Sequence, residues 1–182
     1  VQAKGRSYRL DALLASRAAA ERFAGGAYAT LYLAPGDYHR IHMPAAGELR
    51  SAQYVPGRLF SVNAATAAAV SDLYARNERV VCAFESDARL PFALVLVGAL
   101  LVGSIATRWH GEVTPARPRR ARELSAPAGG SRLEKGAEMG HFNMGSTVIV
   151  LFPRGALAWL PELAPGSIVR MGQPLARLGA AA

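Results

Sequence analysis

The chain has 182 residues, 51% of them hydrophobic and 19% charged, which excludes a disordered polypeptide and suits one domain with a sizeable core. Its 21 Lys and Arg against 13 Asp and Glu give a formal charge of +8, and all but Lys4 and Lys135 of those cations are arginines, so an anionic partner fits the balance. The single cysteine, Cys82, excludes an internal disulfide framework and a cysteine zinc site and favours a reducing compartment, while 18 Gly and 11 Pro argue against a coiled coil.

Residues 1–5 carry no Met and no signal-peptide pattern and read like the middle of a protein. Over residues 8–24, Leu10, Leu13, Leu14, Ala18 and Phe23 fall at helical spacing, and Gly25-Gly26 stops that helix. Residues 27–33 are rich in strand formers and end at the turn Ala34-Pro35-Gly36, after which residues 38–44 alternate as a second strand. Residues 50–54 are weakly strand-like, 64–73 form an Ala-rich short helix or loop, and 78–84 read as a buried strand.

The most apolar stretch, residues 91–106, is shorter than the roughly 20 residues of a membrane helix and holds Gly98 and Gly103. Two adjacent buried strands, or one long strand bent at its glycines, fit it better than a membrane span. Residues 114–131 carry three prolines with Arg117, Arg119, Arg120 and Arg122 and read as a surface loop, either simply solvated or touching an anionic lipid surface. No aromatic-basic interleaving accompanies them, so nucleic acid is not the expected partner. Residues 148–152 make a strong buried strand, and the tail from 161 frays into alanines. Many short strands punctuated by Gly and Pro predict a mainly β (α+β) domain with a few short helices, one unit over residues 1–182.

Two places carry candidate chemistry. His39 and His42 lie three apart in a strand-like segment, where they point to opposite faces, so a shared metal is not expected; their titration near neutrality suits proton transfer. Ser146, in Gly145-Ser146-Thr147, is either a turn residue bonding its own backbone or an activated nucleophile needing a base and a group to orient it. Spacing alone leaves both open.

The segment Lys135-Gly136-Ala137-Glu138-Met139-Gly140-His141-Phe142-Asn143-Met144-Gly145-Ser146-Thr147 resembles the self-cleavage region of phosphatidylserine decarboxylase proenzymes. Asp37-Tyr38-His39-Arg40-Ile41-His42-Met43-Pro44 is similar to that family's histidine motif. Leu59-Phe60-Ser61-Val62-Asn63, Asn77-Glu78-Arg79, and Val97-Gly98-Ala99 with Val102-Gly103-Ser104-Ile105 are similar too, in the same order.

The resemblance implies a fold like the barrel-sandwich hybrid of biotinyl and lipoyl carriers, and a lyase that makes its cofactor from its own backbone. Ser146 Oγ attacks the Gly145 carbonyl, the chain splits into residues 1–145 (β chain) and 146–182 (α chain), and Ser146 becomes a pyruvoyl group. That group forms a Schiff base with phosphatidylserine and serves as electron sink while CO2 leaves, yielding phosphatidylethanolamine. His42 matches the histidine of the family's Asp-His-Ser processing triad; His39 matches the other motif histidine and is assigned to proton transfer in decarboxylation.

The resemblance further implies phosphatidylserine and an anionic membrane surface as partners, a homodimer, and a peripheral place on the cytoplasmic face of a bacterial inner membrane. The triad's aspartate belongs to a Pro-Ala-Asp-Gly-like motif, and none of Asp11, Asp37, Asp72 and Asp87 sits in one, so the chain reads as the proenzyme without its N-terminal portion and processing is expected to be slow or absent. Met144 stands where Leu is more usual, a near-isosteric change. Two other classes fit parts of the pattern: a non-catalytic β domain binding anionic membranes through residues 117–122, and a Ser-His hydrolase, which lacks a nucleophile-elbow pattern around Ser146.

Overall fold

The computed structural model describes residues 2–3, 6–7, 9–62, 64–100, 104–114, 120–124, 132–145 and 147–179. The chain runs through β1 (Gln2–Ala3), β2 (Arg6–Ser7), α1 (Leu10–Leu14), α2 (Arg17–Arg22), β3 (Ala27–Tyr32), β4 (Arg40–His42), β5 (Gly47–Val55), α3 (Ala64–Ala69) and α4 (Leu73–Arg76). It continues through β6 (Arg79–Glu85), β7 (Pro91–Val97), β8 (Ile105–Thr107), β9 (Gly111–Glu112), β10 (Arg122–Glu123) and β11 (Arg132–Leu133). The last elements are β12 (Glu138–Phe142), β13 (Thr147–Phe152), β14 (Leu157–Trp159) and β15 (Ala176–Leu178).

A seven-stranded antiparallel sheet has the order β10-β5-β6-β7-β13-β3, with β11 also paired to β5. A four-stranded antiparallel sheet has the order β4-β12-β8-β9, and β1–β2 and β14–β15 are separate hairpins. The mainly β architecture is the one the short strands predict; among the described residues neither larger sheet closes into a barrel. Strand β13 is buried at all six positions and β7 at six of seven, which is why both read as continuous apolar runs rather than alternating ones. Each fully buried side chain such as Leu96 or Ile149 contributes about 1.5–3 kcal/mol.

Phe84 stacks on Phe92 at 5.2 Å, Phe92 on Phe152 at 5.6 Å, and Trp109 meets the edge of Phe84 at 6.1 Å. Trp109 follows β8, so this aromatic cluster fastens the small sheet to the large one. A polar contact ties together the loops at one end of the large sheet. The Asn77 side chain accepts from the Phe60 amide at 2.9 Å and donates to the carbonyls of Phe60 at 2.8 Å and Gly98 at 2.9 Å. Three separated motifs of the family resemblance therefore meet at one side chain.

The structure corrects several expectations. The helix over 8–24 is two helices: Ala15 takes a left-handed φ of 51°, and Ser16 caps α2 by accepting from the Ala19 amide at 3.2 Å. The stretch 91–106 does hold two strands, but β7 lies within the large sheet and β8 in the small one, so they are not neighbours. Among the described residues no helix is long and apolar enough to cross a membrane.

Within 114–131, Arg122 is not a loop residue: β10 pairs with β5, and the half-buried guanidinium donates to the Val113 carbonyl at 3.4 Å. Arg117 and Arg119 lie outside the described residues. The tail is not featureless, because β14 and β15 pair through Leu157 with Leu178 and Trp159 with Ala176.

Candidate active site

Strand β12 organises the site. It pairs on one side with β4, placing Glu138 opposite His42 and His141 opposite Arg40, and on the other with β8, placing His141 opposite Ala106. A bulge between Glu138 and Gly140 lets this short edge carry an extra residue. Beyond Phe142 the chain turns and enters the large sheet as β13, so residues 143–146 link the two sheets.

Segment 33–39 wraps that link. Thr147 is the register partner of Tyr32, and Gly145 is packed so tightly on Leu33 and Ala34 that an added Cβ would collide with the Leu33 carbonyl oxygen. On the other side the Phe142 amide donates to the His39 carbonyl at 3.1 Å. Glycine is required at 145 because two backbone segments approach there more closely than any side chain permits.

The two histidines differ in place and in bonding. His39 Nε2 donates to the Pro35 carbonyl at 3.1 Å, which leaves Nδ1 as the bare nitrogen; it is buried with no hydrogen-bond partner among the described residues. Thr147 Oγ1, at the other end of the linking turn, is a second buried atom without one. Unsatisfied buried polar atoms call for an explanation, and two of them bracket residues 143–146.

His42 sits further along the ladder. Its Nδ1 donates to the Gly136 carbonyl at 2.8 Å, and its Nε2 accepts from the Tyr38 hydroxyl at 2.8 Å, with the two rings stacked at 5.6 Å. Arg40 Nη1 reaches both oxygens of Glu138, at 2.7 and 2.8 Å, and this hydrogen-bonded ion pair holds the Glu138 carboxyl below its ordinary range. Among the described residues no cluster of metal-ligating side chains forms, His39 and His42 included.

On the same sheet, Arg40, His141, Ala106 and Glu112 form one transverse row in register. Ala106 floors an open cleft of about 510 Å³ edged by Arg108, Glu112, Glu138, His141 and Asn143. Asn143 Nδ2 donates to Ser104 Oγ at 2.6 Å, and Ser104 Oγ donates to Glu112 at 3.0 Å, tying the linking turn to the β8–β9 edge.

The family model for phosphatidylserine decarboxylase matches residues 1–177. The chain belongs to the phosphatidylserine decarboxylase family. Proteins named phosphatidylserine decarboxylase proenzyme from Verminephrobacter eiseniae and Albidiferax ferrireducens are 55% and 56% identical to it, each over 97% of this chain. One of the same name from Chromobacterium violaceum is 54% identical over 96% of it. The chain spans 62–63% of the length of these relatives.

In this family frame the described residues pack one end of segment 33–39 on Gly145, bond its other end, His39, to Phe142, and set His42 at the far end of β12. Ser146 lies outside the described residues. The sequence reading missed Tyr38 as a contact of His42, although both stand in one quoted motif. It also missed Gly136 as the acceptor of His42 Nδ1–H, because a backbone carbonyl leaves no mark in composition or spacing.

Proposed function

We propose that this chain carries the catalytic part of a phosphatidylserine decarboxylase, activated by scission between Gly145 and Ser146. The observation that carries the reading is the close backbone approach at Gly145 to Leu33 and Ala34, in the segment that leads to His39, whose Nδ1 is buried without a hydrogen-bond partner among the described residues. In the scission Ser146 Oγ attacks the Gly145 carbonyl carbon, His42 takes up the hydroxyl proton, and the peptide becomes an ester with a free amine. Loss of the residue 146 α-proton and cleavage of its Cβ–O bond then release residues 1–145 with a Gly145 carboxylate and leave a dehydroalanine at 146, which water hydrolyses to the pyruvoyl group with release of ammonia.

The fit to a pyruvoyl group at position 146 is supported by the close backbone approach at the preceding Gly145 and by His39, whose Nδ1 is buried without a hydrogen-bond partner among the described residues and is chemically suited to hold a proton. When present, that group supplies an electrophilic carbonyl that accepts the electrons released as CO2 departs. His39 is the proton donor of the decarboxylation step, its ring fixed by the Pro35 carbonyl.

The substrate in this reading is phosphatidylserine presented on an anionic membrane, on the cytoplasmic face of a bacterial inner membrane, by a homodimer. The excess of arginine and the formal charge of +8 support that surface, each basic group near an anionic leaflet contributing about 1 kcal/mol.

Denaturing intact-mass spectrometry and CO2 release test the proposal together. Joined to the N-terminal segment of a relative, the chain is expected to give a fragment of residues 146–182 with a blocked, pyruvoyl N-terminus, while by itself it splits slowly or not at all; Ser146→Ala in the same joined form is expected to stay unbroken at residue 146 and release no CO2. Release of CO2 by unbroken Ser146→Ala would refute the mechanism.

A further inference from the structure

The two ends of the large sheet carry different surfaces. Val55, Arg79, Val97, Thr147 and Tyr32 form one transverse row across β5, β6, β7, β13 and β3. The linking turn enters the sheet at this row, and the loops around it hold one another. The Leu100 amide donates to the Phe60 carbonyl at 3.4 Å, and the Arg58 amide to the Arg76 carbonyl at 2.8 Å. Tyr32 ends β3, Met144 precedes β13 and Leu100 follows β7, three adjacent strands spaced about 5 Å apart. All three side chains are large and apolar, yet 45%, 44% and 57% exposed.

Two cations stand beside this apolar surface. Arg58 and Arg76 are exposed, and among the described residues neither forms an ion pair. The Arg76 guanidinium lies over the Phe60 ring at 5.0 Å, which keeps its charge at the edge of the apolar patch. The nearby carboxylate, Asp37, is turned onto the Ala34 amide at 2.7 Å. At the other end of the sheet the arginines are neutralised: Arg50 bridges Glu48 and Glu85 at 3.0 and 2.9 Å, and Arg132 pairs with Asp87. One end is thus a solvated, ion-paired rim, and the other joins exposed apolar side chains to unpaired positive charge, the combination that binds anionic lipid surfaces.

We infer that the end of the large sheet bearing the linking turn docks on an anionic phospholipid bilayer, with Leu100 and Met144 in the headgroup layer and Arg58 and Arg76 on lipid phosphates. The inference rests on the phosphatidylserine reading above and gives it an orientation. A diacyl lipid leaves a bilayer only by exposing its hydrocarbon chains to water, so a site acting on the headgroup has to be brought to it. Docked in this way, residues 143–145 face the headgroups and the ion-paired rim faces water.

The test uses vesicles of phosphatidylcholine with and without phosphatidylglycerol, free of phosphatidylserine, so that docking is read apart from turnover. Cys82 is buried, so a cysteine placed on the surface alone takes up an environment-sensitive fluorophore. Leu100→Cys puts the label at the docking end, and Ala88→Cys, also exposed, puts it in the β6–β7 turn at the far end. Anionic vesicles should brighten and blue-shift the label at 100 and leave the label at 88 unchanged. In co-sedimentation Arg58→Gln and Arg76→Gln should each weaken binding by about five-fold. Leu100→Asp should weaken it at every salt concentration, whereas Arg50→Gln, at the far end, should bind as wild type does. The substituted side chains are exposed, so thermal melts should match wild type.

An absence of binding to anionic vesicles, an equal response at both labels, or wild-type binding by the Arg58→Gln, Arg76→Gln double variant overturns the docking. So does a label at 100 that brightens without vesicles as the mass of the particle doubles, since the face is then an interface between copies. None of these results touches scission of the joined chain, which tests the decarboxylase reading separately.

Discussion

Arg79 donates from Nε to the carbonyl of Leu13 at 2.7 Å and from Nη2 to that of Ala12 at 2.6 Å, so a buried guanidinium closes the C-terminal end of α1. Those carbonyls would otherwise take protons from the next turn of helix, and their loss to Arg79 is one reason the helix stops at Leu14. Nη1 serves two more carbonyls, of Ala75 and Asn77, and burial lowers the Arg79 pKa to about 10. The side chain is thus a hub for four backbone acceptors drawn from two stretches of the sequence about 60 residues apart.

Replacing Arg79 by Met keeps much of the volume and strands those acceptors. Unmet buried carbonyls cost about 1–3 kcal/mol apiece, partly relieved by water, so Arg79→Met should lose about 3 kcal/mol in urea unfolding. Arg79→Lys should recover only part of that, since one ammonium cannot serve four dispersed oxygens. A variant within about 0.5 kcal/mol of wild type would show the hub to be dispensable.

The core strands were legible because β6, β7 and β13 are buried along most of their length and their apolar runs are unbroken. Strand β5 was barely legible. A bulge between Leu49 and Ser51 puts Arg50 and Ser51 outward in succession and breaks the alternation that a nine-residue strand should display. The break after Leu14 was hidden for a different reason: its cause, Arg79, is 66 residues away from Leu13. At the site, the motif residues His39 and His42 were readable from sequence, but their unequal placement along β12 depends on register, which local pattern does not encode.

The Arg40–Glu138 pair predicts an acid-sensitive edge. The folded-state pKa of Glu138 is lowered by its hydrogen bonds from Arg40, so its contribution is present above the ordinary carboxylate range and is lost as pH falls through the lowered value. The pair is partly exposed, so global stability should move little, but amide exchange along β4–β12 should quicken by about two- to five-fold more on acidification than in the rest of the sheet. Glu138→Gln should show that faster exchange already at neutral pH. Equal exchange in variant and wild type would show that the pair does not hold this edge.

Cys82 lies in the middle of β6, fully buried, and burial pushes its thiol well above the ordinary range. The thiolate is the reactive form, so the folded chain should resist alkylation at about pH 8 and take up one label per chain once denatured. Rapid labelling of native protein would mean that β6 opens far more readily than its central place in the sheet implies.

His39 and His42 should fail in different assays. His39→Gln keeps an N–H able to bond the Pro35 carbonyl while removing the bare ring nitrogen, so scission should proceed and CO2 release should fall by about 100-fold or more. His42→Gln should instead leave the chain unbroken. Loss of scission in both variants, with native melting behaviour, would assign the two histidines to one step rather than two.

Gly145→Ala tests whether close backbone approach, rather than sequence identity alone, sets up the scission. A methyl group at 145 meets the Leu33 carbonyl oxygen and, 2.8 Å away, the carbonyl carbon and oxygen of Ala34. All of these are backbone atoms of the segment that leads to His39, so relief requires that segment to shift. Misplacing reacting groups by about 1 Å is enough to cost on the order of 100-fold in rate. Gly145→Ala should therefore fold with a lowered melting temperature and split at least that much more slowly than wild type. The shift should also appear as changed amide signals at His39 and Phe142, whose hydrogen bond joins the two sides of the turn. Wild-type scission in a folded Gly145→Ala chain would mean that the contact with Leu33 and Ala34 opens before the reaction, and that the tight packing belongs to the resting proenzyme alone.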